Sequence, residues 1–185
     1  MTKGKYTKGF TFSKGFTLVE LLVVIAIIAI LAGAMFMVIN PAKLMAKTRD
    51  SKRIAEITEL NKAIANSLAD GKITLGAYGA NTTDAATAVT GGGWVRFTLP
   101  TGTTVGLGDY MPTLPRDPVK AAVGGINYYY YFASTAVAWE LNAIMESPDS
   151  AGAATNDGGS ANTCAATAPA GNLCRYEVGT LLTII

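Results

Sequence analysis

One carboxylate at the mouth of a long apolar run constrains this chain more than anything else in it. Lys14-Gly15-Phe16-Thr17-Leu18-Val19-Glu20 leads directly into nineteen uncharged, almost wholly apolar residues, Leu21 to Ile39. At about 1.5 Å per residue, a helix of that length nearly crosses a hydrocarbon core of about 30 Å. A plain membrane anchor has no use for Glu20, because burying an acid there is costly unless a partner neutralises it. A free ammonium at the chain end of a neighbouring copy would be such a partner. The segment therefore reads as a device for stacking identical helices.

The string from Lys14 through Gly15, Phe16, Thr17, Leu18, Val19 and Glu20 to Ile28 resembles the class III signal of bacterial type IV pilins and of the pseudopilins of type II secretion. The resemblance implies that a membrane-embedded prepilin peptidase cuts after Gly15 and methylates the new N-terminus at Phe16. It implies that Glu20, fifth in the mature chain, pairs with the Phe16 amine of an adjacent subunit. It further implies a homo-oligomeric filament raised by an assembly machinery with a platform protein and an assembly ATPase. The precursor would sit in the inner membrane with its basic leader on the cytoplasmic side, as the positive-inside rule expects, and the filament would reach the cell surface. The likeness is strong over about the first forty residues. It continues weakly through Leu114-Pro115-Arg116-Asp117-Pro118 and Tyr176 to Thr180. Pilus and secretion pseudopilus both stay open.

The chain carries its own control. Lys8-Gly9-Phe10-Thr11 repeats the start of the motif, but Lys14 stands where the acid belongs. A rival reading takes Lys3, Lys5, Lys8 and Lys14 as the basic end of an ordinary signal peptide, with Ala32-Gly33-Ala34 as its cleavage site and a secreted or anchored binding protein as the product. Against it, Met35 to Ile39 remain apolar, and such a peptide does not need Glu20.

Composition narrows the rest. The formal charge of +2 misleads, since four of the fifteen basic residues lie in the leader; the remaining eleven face thirteen acids, a balance of −2. No specific nucleic-acid surface is expected from that balance. Histidine is absent, which removes the commonest general base and metal ligand. No catalytic set is recognisable, and Gly91-Gly92-Gly93 lacks the lysine and helix of a phosphate loop. The expectation is a structural subunit without enzymatic activity.

Four segments follow from the pattern: a leader over 1–15, an assembly helix over 16–39, an amphipathic helical half over 40–71 and a globular head over 72–185. Asn40-Pro41 predicts a kink or break, because proline removes a helix hydrogen bond or else opens a new helix at its first turn. Ile54, Ile57, Leu60, Ile64 and Leu68 form one apolar stripe at helical spacing. Lys47, Arg49, Asp50, Lys52, Arg53, Glu56, Glu59 and Lys62 are assigned to the other faces. Asp70-Gly71 ends the helix. Residues 72 to 93 read as a weakly structured connection, and 94–99, 127–133 and 176–185 as strands. Residues 137–145 fit either a strand or a short helix. The fold class expected is α+β and pilin-like: a long N-terminal helix whose distal half packs on an antiparallel sheet.

Several residues carry secondary expectations. The two prolines of Leu114–Pro118 make a rigid corner, and Asp117 closes its own turn. Pseudopilins of the major class carry calcium in a later loop; here Glu146, Asp149, Asn156 and Asp157 are the candidates, without a recognisable calcium spacing. An acidic surface loop is preferred there, and no metal site or other cofactor is assigned. Asn81-Thr82-Thr83 fits a glycosylation sequon. Cys164 and Cys174, in a domain the resemblance places outside the cytoplasm, read as a disulfide closing a C-terminal loop. Two free thiols are the alternative.

Overall fold

The structure is a computed structural model describing residues 15–38, 40–81, 83–120, 122–123, 125–159 and 174–185. The chain divides after Pro41 into two units. The first holds helix α1 (Leu18–Val38), 21 residues with no charge beyond Glu20. That length corresponds to about 31 Å. No residue of Leu18–Met35 is buried, so apolar side chains cover every face. Such a helix satisfies its own backbone and leaves its side chains for lipid or for other helices. Asn40 is exposed and lies outside both helices. Pro41 then opens helix α2 (Pro41–Ala69) at the position where a missing N–H is harmless.

In the second unit, α2 ends in a Schellman turn. The Lys72 N–H donates to the Ser67 carbonyl and the Gly71 N–H to that of Leu68, at 2.9 and 3.1 Å. Gly71 supplies the left-handed φ of +65° that this turn requires. The stripe read from the sequence is the packing face: Ile57, Leu60 and Ile64 are fully buried, with Ile54 and Leu68 half-buried against the same core. Two charged residues extend that stripe. Asp50 and Arg53 are buried as well, which corrects their assignment to faces other than the packed stripe.

The head is an antiparallel sheet of three strands, β3 (Tyr131–Ser134), β4 (Trp139–Ile144) and β5 (Arg175–Gly179), in that order. A short hairpin precedes it, β1 (Ala122–Val123) with β2 (Ile126–Asn127). Phe132, Leu141 and Val178 are register neighbours on the inner face and join the helix residues in the core. The Trp139 indole N–H fixes the sheet to α2 through the Asn61 side-chain oxygen at 2.8 Å. The architecture is α+β, with an apolar N-terminal helix and an antiparallel sheet packed on the following helix.

Strand expectations fared unevenly. Within 137–145, Trp139–Ile144 form a strand, β4. Residues 127–133 split, since only Asn127 and Tyr131–Ala133 are paired in strands. The last strand stops at Gly179 instead of running to 185. Residues 94–99 form no strand, apart from an isolated bridge from Thr98 to Thr74. Trp94 and Val95 are consecutive and both buried, which a one-faced strand cannot provide. The triple glycine allows this bend, because a Cβ at Gly93 would meet the Ala88 carbonyl at 2.3 Å. The described residues of 72–93 hold no helix or strand, yet they close one edge of the sheet. Tyr78 exchanges backbone hydrogen bonds with Ser134, and the Asn81 side chain accepts from Phe132 N–H while donating to the Tyr130 carbonyl.

Candidate functional site

The first turn of α1 is an internally closed capping box. Thr17 is the N-cap, and its hydroxyl accepts the Glu20 N–H at 3.2 Å. Glu20 answers by accepting the Thr17 N–H at 2.8 Å and the Thr17 hydroxyl at 2.7 Å, both on Oε2. Leu21 N–H donates to the Thr17 carbonyl at 3.1 Å, starting the helical ladder. The reciprocal arrangement satisfies two of the N–H groups that a helix start leaves open. It also fixes the carboxylate in orientation. One oxygen is occupied locally, while Oε1 makes no hydrogen bond among the described residues, and Glu20 is exposed. Gly15 and Phe16 precede the cap in extended, exposed chain, and Phe16 is 79 % exposed.

The sequence showed an acid at this position but not the threonine that holds it. Thr17 followed three residues later by Glu20 is the capping-box spacing, a signal present in the sequence.

A second constellation lies in the other unit and is ionic. The Arg53 guanidinium reaches Asp117 through Nε at 2.6 Å and Nη2 at 3.0 Å, Asp50 through Nη1 at 2.7 Å, and Glu146 through Nη2 at 2.6 Å. Arg49 grips the same Glu146 through Nη2 at 2.5 Å. Asp50 in turn accepts the N–H groups of Glu146 and Ser147 and the Ser150 hydroxyl, at 2.9, 2.8 and 2.7 Å. Burial by itself would lower the Arg53 pKa; the hydrogen bonds and charges of Asp117 and Glu146 outweigh it and hold it above the ordinary arginine value. Burial likewise would raise Glu146, but the Arg49 hydrogen bond and the Arg53 charge keep its carboxyl below the usual range.

This cluster explains the proline-bracketed corner. Asp117 closes its own turn by accepting Val119 N–H at 2.8 Å, and the same carboxylate anchors the corner to α2 through Arg53. Three segments remote in sequence thus converge on one guanidinium: α2, the corner at 114–118 and the turn at 146–150.

The calcium candidates are dispersed among other duties. Glu146 serves Arg49 and Arg53, and Asp149 faces Lys47 at 3.7 Å. Asn156 donates to the Gly152 carbonyl at 2.7 Å. Asp157 accepts the Gly159 and Glu177 N–H groups, at 2.8 and 2.7 Å. Among the described residues no group of three or more acidic or cysteine side chains is disposed around a common point for a metal. Asn81 spends its amide on the backbone, donating to Tyr130 and Thr83 carbonyls, an arrangement poorly suited to carrying a glycan. Cys174 packs against the core, its carbonyl accepting the Met145 N–H at 2.8 Å. Cys164 lies outside the described residues, as does the leader before Gly15.

In comparison with known families, residues 11–36 fit the prokaryotic N-terminal methylation motif. This is the class III signal of type IV pilins and pseudopilins, and it covers the capping box and most of α1. No match was found among curated proteins or among solved structures.

Proposed function

We propose that this chain, which carries the prokaryotic N-terminal methylation motif, is the structural subunit of a type IV pilus-like filament, processed by prepilin peptidase between Gly15 and Phe16. The observation that carries the reading is the placement of a capped, half-used carboxylate at the start of an apolar helix with no buried residue from Leu18 to Met35. In a lipid-like bundle a helix N-terminus is already partly positive, and the Phe16 amine adds a full charge there. Oε1 of Glu20 on a neighbouring copy offers the compensating charge in a low dielectric, which favours one axial register over others. Thr17 is the positioning residue that keeps Glu20 aimed.

Before assembly the apolar helix holds the precursor in the inner membrane; afterwards it is shielded by its neighbours and the head faces outward. The partners are further copies of the chain, the peptidase and an assembly machinery. In an exported head the two cysteines form the disulfide that closes residues 164–174. The head supplies surface and shape to the filament and no catalysis. A major pseudopilin of type II secretion is the second reading. It is favoured by the corner at Leu114–Pro118, which Arg53 ties into the fold. Helix α1 runs unbroken through Ala32-Gly33-Ala34, which speaks against cleavage there.

The test is N-terminal mass spectrometry on protein from the native envelope or shed filaments. A chain beginning at Phe16 and carrying one added methyl group is expected. A chain beginning at Met35 overturns the reading in favour of ordinary secretion.

A further inference from the structure

We infer that Arg116 and Lys120 build a small-oxyanion site in the head, independent of the N-terminal assembly helix. They share a cleft of about 240 Å³ whose other walls include Thr83, Asp84, Asn127 and Tyr128. A second hollow of about 460 Å³ is lined by the same two cations together with Lys52 and Glu56. Among the described residues Lys120 has no acid partner, and Arg116 has only a long ion pair, to Asp84.

Asp84 is the nearest carboxylate, 2 % exposed, and its Oδ2 is committed to the N–H groups of Asp117 and Tyr130 at 2.6 and 3.3 Å. Its Oδ1 stands 3.7 Å from Arg116 Nε, too far for a hydrogen bond. That Nε is buried and has no acceptor. A buried guanidinium N–H without a partner calls for one, commonly a bound ion or water. Glu56 on the far side is occupied by Lys52 at 3.6 Å and by the Tyr130 hydroxyl.

Lys120 adds an independent sign. Among the described residues it makes no ion pair or hydrogen bond, and its φ is +54°. A lysine in left-handed backbone is strained, and such strain gathers where a side chain is being held for a purpose. Here it presents an ammonium beside Arg116. The pair offers a planar fork and a point charge, the two complementary ways of holding a carboxylate or phosphate group. Thr83, Asn127 and Tyr128, which also line the cleft, carry no charge that would oppose an anion. The ligand class is therefore a compact oxyanion, free or carried on another molecule. No apolar surface or second macromolecule is needed to explain the cleft.

The experiment is isothermal titration of the full chain in detergent micelles with inorganic phosphate and, separately, with acetate. Ionic strength is held constant with chloride. Saturable binding of at least one anion is expected; binding of phosphate alone or acetate alone identifies the preferred group. Lys120→Gly removes the ammonium while relieving the left-handed backbone, so the fold is retained. It is expected to weaken binding by about tenfold, the loss of one charge-assisted contact, with a melting temperature equal to or above that of the parent. Arg116→Gln is expected to weaken binding at least as much. Absence of saturable binding by either anion overturns the proposal, and so does parental affinity in both variants. Since filament assembly is not part of the readout, this result is independent of the N-terminal processing test.

Discussion

Replacing Arg53 by methionine tests the ionic cluster most directly. The side chain is fully buried, and its guanidinium makes four contacts to three carboxylates. Removing one partner of a buried pair costs about 3–5 kcal/mol, because the charges left behind stay desolvated. The carboxylates suffer unequally. Asp50 retains three donors and Glu146 retains Arg49. Asp117 keeps only the Val119 N–H. A loss of about 3–4 kcal/mol is therefore expected, against a total stability of about 5–15 kcal/mol for an ordinary domain. With a urea m-value of about 2 kcal/mol/M, the midpoint falls by about 1.5–2 M.

Trp94 and Trp139 both sit in the core, so their fluorescence in the full chain, in fixed micelles, follows the transition. Arg53→Lys, which restores charge without the fork, should fall between parent and Arg53→Met. The pH dependence gives a second readout. Glu146 titrates below its ordinary value in the folded chain, so its contribution is complete above the unfolded pKa of about 4.3 and is lost as pH falls through the folded value. The gap between parent and Arg53→Met should thus shrink as the solution is acidified. A midpoint shift under about 0.3 M at neutral pH, far less than a buried ion pair predicts, would refute the reasoning.

Glu20→Gln separates the two roles of that residue, since glutamine also completes a capping box but carries no charge. Cleavage after Gly15 should proceed while filament yield, judged by electron microscopy, collapses; normal filaments would remove the charge-pairing mechanism. For the cysteines, intact mass of the non-reduced head is expected about 2 Da below the reduced form, and Cys174→Ser should cost about 2–3 kcal/mol. An unchanged mass on reduction would show two free thiols.

What could be read from the sequence was what depends on local spacing. Glu20 against Gly15, the apolar run, and the stripe through Ile57, Leu60 and Ile64 all follow from periods within one element. The α+β class followed from them with the β-favouring run around Tyr128 to Ala133. The ionic cluster was not read, although Asp50 and Arg53 continue the stripe at the same three- and four-residue steps. Hydrophobic periodicity marks only the apolar part of the stripe, and a charge is buried only when its partner is present. Arg53 finds that partner 64 residues away in Asp117, a distance that no local pattern encodes. The supposed strand at 94–99 failed for the converse reason: β-favouring residues there are packed on both sides by a glycine-allowed bend.

The irregular segment before that bend has a consequence for crowding. A three-stranded sheet has two open edges, and in the proposed filament identical heads would meet at very high local concentration. An unpaired edge on β3 would invite the same edge of a neighbour, with the extended cross-strand stacking that leads to irreversible aggregates. Tyr78 and the Asn81 amide take up the hydrogen-bonding groups of Tyr130, Phe132 and Ser134 before a neighbour can. Copies packed through their helices, as proposed, would then crowd side by side without zipping together through this edge of their sheets.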